Sequence, residues 1–389
     1  MDVFLSHKTA LGIYFLAQQR GMDWLYKALI RPTDDPLSVK QDAGTKATGG
    51  ESTGAICGMT LDGFATCGRD LRRIDLDFLK NLDVEKIDIL VPHRRRGFAN
   101  KTVRQHVWAG EVPAGGFLKL GEHVYVSSPE FVLLQMAAEL DRWQTLQLAM
   151  QLCGTFALSR TDEHGATKHP PLTSKRRLAL FAEQVGGRRT GMGNYRWAVR
   201  HVLNGAASTT EAGVSLLLSM PTQVGGYGLR PFQLNVEKTY DQEEREIAGG
   251  KERCVVDLLD ETSRFGWEYQ GKEGHSDAEG GTRYERGSVA LSTAAEGDLD
   301  FKLSYGAAQL DSDARKLAAL QHMKYDVRPL VWGQIRTVGV FDHVARETAR
   351  QFGVKAAGAY GFSDDRRLAD RRACLHRGLL LRRYYWQGD

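Results

Sequence analysis

Between Ser208 and Phe352 the apolar pattern changes period in a fixed order, and that order constrains the fold more than any other feature. Ser208–Met220, Leu310–Met323 and Phe341–Phe352 read as helices. Leu234–Tyr240, Arg253–Leu259, Arg264–Gln270 and Asp326–Trp332 read as strands. The sequence of elements is helix, three strands, helix, strand, helix. A helix inserted between two strands is a crossover connection, so this order predicts an α/β fold: a mixed sheet flanked by helices. Pro329 cannot donate to a ladder, which places the last strand at an edge or a bulge.

The 389 residues leave room for two domains or three. A composition of 42% hydrophobic and 26% charged residues is that of an ordinary soluble chain with material for more than one core. Residues 1–160 read as an α+β domain. Thr9–Ala17 reads as helix, Ile87–Pro92 as a strand, and Phe117–Val126 as a hairpin turning at Gly121-Glu122. Ser128-Pro129-Glu130 opens a helix with Pro at its first position, and Trp143–Leu152 forms another. Residues 35–54 are rich in Gly, Ser, Thr and Asp and read as loop. The boundary is expected at 160–174, around Pro170-Pro171, with 161–205 as a helical linker holding Ser174–Val185 and Asn194–Leu203. The second domain then spans 206–355, and 356–389 is a basic tail.

Asp257, Glu268 and Gln270 carry the candidate chemistry. In the strand Gly266–Gln270, alternate residues share a face, so Glu268 and Gln270 point the same way. A hairpin turning at Glu261–Arg264 has its midpoint between Thr262 and Ser263, which sets Asp257 opposite Glu268. Directly opposed residues lie about 5 Å apart at Cβ. Two carboxylates at that distance repel unless a cation lies between them, and Mg²⁺ takes one or two carboxylates plus waters and phosphate oxygens. The plainer reading is a carboxylate pair on a solvated sheet face. Glu211 is a third acid. Ser208-Thr209-Thr210-Glu211 fits a capping box, which explains it without function.

Several segments together resemble the small PD-(D/E)XK endonucleases, especially those related to very-short-patch-repair enzymes. They are Ala207–Glu211, Gly225-Gly226-Tyr227-Gly228-Leu229, Val256-Asp257-Leu258, Trp267-Glu268-Tyr269-Gln270-Gly271, His275, Asp313–Leu317 and Tyr325-Asp326-Val327. The resemblance implies a PD-(D/E)XK nuclease-like sheet and cleavage of a nucleic-acid phosphodiester with Mg²⁺ or Mn²⁺. It puts Asp257 and Glu268 on the metal-binding acids, with Glu211 assisting. Gln270 falls where the family usually has Lys. A Gln orients a water but supplies no charge; Lys272 is a candidate substitute for it. His275 resembles the histidine that follows the strand in the repair enzymes. Arg315 and Lys316 near a helix start are candidates for phosphate contact, or for pairing with Asp311 or Asp313.

The first domain resembles AbiEi-type abortive-infection antitoxins in Phe4–Leu11 and Val124–Glu130. This implies a role in phage defence or self-regulation and a toxin or defence-system partner. The resemblance to nucleases leaves DNA repair and a homodimer open as well. It also leaves open a catalytically inactive, DNA-binding or antitoxin-like regulator.

The net charge of +4 does not force a nucleic-acid reading, but its distribution favours one. His93-Arg94-Arg95-Arg96 and the arginines of the tail suit a phosphate backbone, as does any solvated face. The binding candidates are Arg94, Arg95, Arg96, Lys272, His275, Arg315 and Lys316, and the expected partner is nucleic acid, DNA in particular. The five cysteines form no C-x-x-C pair, so a zinc site is not expected. Their odd count argues against a disulfide framework. No apolar stretch is long enough to span a bilayer, and the start shows no signal-peptide pattern. The expectation is a reduced, cytoplasmic protein with no membrane partner.

Overall fold

The structure is a computed structural model that describes residues 2–20, 85–92, 102–121, 123–156, 169–270, 311–354 and 366–381. The chain divides into two compact units at Asn204/Gly205. Both are mixed α/β.

The first unit holds a five-stranded sheet in the order β3-β2-β1-β5-β4. The strands are β1 (Val3–Leu5), β2 (Ile87–Val91), β3 (Val103–Val107), β4 (Phe117–Gly121) and β5 (Val124–Ser127). Helix α1 (His7–Arg20) follows β1 directly. The central strand β1 is buried along its whole length and runs parallel to β5 and antiparallel to β2. The expected hairpin is β4 against β5.

Next come α2 (Pro129–Ala137), α3 (Arg142–Leu152), α4 (Lys175–Val185) and α5 (Met192–His201). Ser128 caps α2, with Pro129 at its first turn where the missing N–H costs nothing. The segment expected as a helical linker is instead part of this unit. Buried Glu130 on α2 pairs with Arg177 of α4 at 2.9 Å, and the Asn194 side chain on α5 donates to Leu140 O at 2.9 Å. The boundary therefore falls after α5, next to the expected start of the second domain at 206.

The second unit opens with α6 (Thr209–Ser219), capped by the Ser208 hydroxyl. Its sheet has the order β6-β7-β8-β9: β6 (Gln233–Thr239), β7 (Arg253–Asp260), β8 (Phe265–Gln270) and β9 (Asp326–Val331). The first three strands are antiparallel, while β9 joins parallel to β8. Pro329 lies on this edge strand, as its missing donor requires. A short helix α7 (Gln242–Ile247) separates β6 from β7, α8 covers 311–322, and α9 (Trp332–Ile335) and α10 (Val338–Gln351) follow.

Helices α8 and α10 lie on opposite faces of the sheet. Ala319 and Leu320 of α8 join Val256, Cys254 and Leu259 of β7 in one apolar cluster. The Trp267 indole N–H on β8 instead donates to Thr348 Oγ1 on α10 at 3.0 Å.

The expected tail is partly structured. Residues Arg366–His376 form α11, in which Arg372 and Leu375 are buried. Arg372 lies 4.2 Å from the Tyr227 ring centroid and pairs with Asp342 at 3.3 Å. The Tyr227 hydroxyl donates to the same carboxylate. The Gly225-Gly226-Tyr227-Gly228 motif is thus structural. Gly225 has φ of +101°, and a Cβ on Gly226 would lie 2.0 Å from Met220 O.

Candidate active site

The β7–β8 turn fixes the site. The Asp260 carboxylate accepts two hydrogen bonds from Arg230, at 2.9 and 2.7 Å. It also accepts the Ser263 N–H at 2.8 Å and the Ser263 hydroxyl at 2.6 Å. Burial pushes the Asp260 acid up, but these donors outweigh it and hold its pKa below the usual range. So anchored, the hairpin pairs Asp260 with Phe265, Leu259 with Gly266 and Leu258 with Trp267. One step further, this register sets Asp257 opposite Glu268, as counted from the sequence.

At that step the backbone ladder gives way to side chains. The Tyr269 N–H donates to Asp257 Oδ2 at 2.8 Å, and the Asp257 N–H reaches Glu268 Oε2 at 3.5 Å. The two acids therefore sit in the fork where the strands part. Pro329 of β9 faces Glu268 from the other side and offers no N–H there. On the far side of β7, the register Leu234↔Leu258 and Val236↔Val256 sets Asn235 beside Asp257.

Glu268 is mostly buried, and its pKa is pushed up to about 7. Burial is the main cause, followed by the charge of Asp257; Lys316 opposes both. Lys316 Nζ makes a short ion pair with Glu268 Oε1. Its position follows from helical spacing: Lys316 lies three and four residues before Ala319 and Leu320, the residues that bury α8 against the sheet. Docking α8 by its apolar stripe thus aims the ammonium at the acid pair.

Glu211 is buried and well bonded. It accepts the Ala207 N–H at 2.9 Å, the Ser208 hydroxyl at 3.0 Å and the Asn235 side-chain amide at 2.7 Å. Burial raises its pKa, these donors lower it, and the charge of Glu268 raises it further. The carboxylate is thus near enough to Glu268 to feel its charge, while its hydrogen bonds tie the start of α6 to β6.

The structure gathers Asp257, Glu268, Lys316 and Glu211 around one end of the sheet. Gln270, half-buried, lies two residues beyond Glu268 opposite Val331. Arg315 does not join them; it pairs with Asp311 one turn away at 2.8 Å. Arg94, Arg95, Arg96, Lys272 and His275 lie outside the described residues. Among the described residues, the charge beside the acids comes from Lys316 on α8.

The donor set suits a hard divalent cation. It presents two carboxylates in a strand fork, one of them held protonated up to near neutral pH by burial and its neighbour. A cation would lower that penalty. Mg²⁺ or Mn²⁺ would be held by Asp257 and Glu268.

No protein-family model, curated protein or solved structure matches the chain. Among the described residues, no helix is long and apolar enough to cross a membrane.

Proposed function

We propose that the second unit is a metal-dependent endonuclease that hydrolyses phosphodiester bonds in DNA. The opposed Asp257–Glu268 pair in a strand fork, with Lys316 delivered to it by the crossover helix, carries this reading. The resemblance to PD-(D/E)XK nucleases puts Asp257 and Glu268 on the metal-binding acids and Gln270 where the family usually has Lys, which agrees with this reading. When bound, Mg²⁺ supplies a charge that offsets the anionic phosphoryl group and lowers the pKa of a coordinated water.

The chain's own residues do the rest. Asp257 and Glu268 hold the cation. The Tyr269 N–H fixes the Asp257 carboxylate, and the Asp257 N–H steadies Glu268. Lys316 places a positive charge beside Glu268, the electrostatic part that Gln270 cannot play. Gln270 orients a water by hydrogen bonding. In the reaction a water oxygen forms a bond to phosphorus and releases one proton to solvent, the ester P–O bond breaks, and the departing oxygen takes up a proton. Glu211 acts on the site through its charge on Glu268 and its bonds to Asn235.

The test is incubation of supercoiled and linear DNA with the full chain and Mg²⁺ or Mn²⁺, beside Asp257→Ala and an EDTA control. Metal-dependent cleavage lost in the variant supports the proposal. DNA binding by folded protein without cleavage in either metal would replace it with a nuclease-fold binding module or an antitoxin-like regulator.

A further inference from the structure

The first unit holds a chemically different cluster of its own. His7 sits at the β1–α1 junction, His106 on β3 and Glu139 just beyond α2. Their side chains converge although the residues are far apart in sequence. His106 Nδ1 lies 3.7 Å from Glu139 Oε1, and His7 Nε2 lies 4.0 Å from the same oxygen. All three ligand atoms fall within 4.8 Å of one another. The two imidazole rings are stacked, with centroids 3.5 Å apart.

The ring nitrogens that face away from this cluster have partners. His106 Nε2 lies 2.8 Å from Oδ1 of Asp88, whose side chain is buried. His7 Nδ1 lies 3.0 Å from Ser6 Oγ. An imidazole that donates its outward N–H to a carboxylate or hydroxyl turns the lone pair of its other nitrogen inward. Carboxylate–histidine–metal relays are built in this way. His7 holds a φ of +45°, and its N–H donates to Gln135 Oε1 at 3.1 Å, which fixes the backbone at the β1–α1 junction. One cation opposes the cluster: Arg104, about 40% exposed in its side chain, lies 3.7 Å from Asp88 Oδ1.

We propose that His7 Nε2, His106 Nδ1 and the Glu139 carboxylate bind a divalent first-row transition ion of the zinc class. Two imidazoles and one carboxylate are a three-ligand set that leaves a coordination position for water. Tetrahedral zinc with bonds of about 2.0–2.1 Å needs ligand atoms about 3.3 Å apart. Each imidazole lone pair lies in its ring plane, so binding requires the stacked His7 and His106 rings to splay out of their parallel packing until both planes meet at the ion. Glu139 is partly exposed and lies outside a helix, so its carboxylate can follow the rings to the ion. The cysteine pattern predicts no zinc site, but that expectation concerns cysteine ligands only. Here two of the three ligands are imidazoles, which favour zinc over the hard Mg²⁺. A bound ion would clamp β1, β3 and the end of α2 together, three elements that no local sequence links.

The test uses the full chain, stripped with chelator and reloaded. Zinc retained after dialysis is counted by elemental analysis. The visible spectrum of the Co²⁺-loaded protein reports nitrogen and oxygen ligation at low coordination number. The variants are Glu139→Ala, His106→Gln and, as a control at the other site, Asp257→Ala. The proposal expects about one zinc per chain in the native protein and in Asp257→Ala. It expects at least a tenfold weaker affinity and an altered Co²⁺ spectrum in Glu139→Ala, with loss of binding in His106→Gln. Circular dichroism separates lost ligation from lost fold in His106→Gln, and Glu139→Ala, on a partly exposed side chain, supplies the independent reading. Absence of bound zinc, or unchanged zinc and Co²⁺ signals in both ligand variants, overturns it.

Discussion

Glu268 links the proposed site to the stability of the second unit in a way that can be measured. Its acid is held at about 7 in the folded chain against an ordinary 4.5. A folded state that binds this proton more tightly than the unfolded chain is favoured at low pH. The contribution is fully present below about pH 4.5 and is lost as pH rises through about 7. The whole difference corresponds to about 3 kcal/mol at 1.36 kcal/mol per pH unit, of which about 2 kcal/mol falls between pH 5.5 and pH 8. Glu268→Gln removes the titration. The pH-dependent part therefore isolates Glu268. Hydrogen exchange by mass spectrometry on peptides covering 253–270, corrected for intrinsic rates, reads the opening free energy of β7 and β8 alone. Without metal, the native chain should lose about 2 kcal/mol more than Glu268→Gln from pH 5.5 to pH 8. Saturating Mg²⁺ at pH 8 should recover stability in the native chain and not in the variant. Equal pH dependence in the two proteins would refute the reasoning about burial and the Asp257 charge.

Other expectations follow from single contacts. Lys316→Met should reduce cleavage by about 10²–10³ at saturating Mg²⁺ while leaving DNA affinity within a few-fold, as for removal of one electrostatic stabiliser, checked by single-turnover kinetics. Arg315→Ala should leave the rate nearly unchanged, because its partner is Asp311. Thr348→Val should destabilise the second unit by about 1–3 kcal/mol, since the buried Trp267 indole N–H loses its acceptor; urea denaturation measures it. Gly226→Ala should be more damaging, because its methyl group would meet the Met220 backbone carbonyl, and loss of cooperative unfolding is the expected readout.

The order of elements in the second unit was legible because each is amphipathic or apolar at its own period. The Asp257–Glu268 pairing was legible too, because a hairpin's register follows from counting outward from its turn. Helix α7 carries the capping box of Asp241 and Glu244, readable as Asp-x-x-Glu. Strand β3 (VRQHV) is polar in its middle and offers little alternation to read.

Lys316 and the His7–His106–Glu139 cluster stand differently. The sequence by itself determined the order of the main helices and strands of the second unit, where Pro129 starts a helix, why Pro329 needs an edge, and which two acids face each other across a turn. These depend on interactions over a few residues or on one short hairpin. Only the tertiary structure decided that the charge beside Glu268 comes from a helix 48 residues away in the chain, and that His7 meets His106 and Glu139. Such meetings are set by how apolar stripes dock on sheets, and docking depends on the whole core rather than on any local pattern.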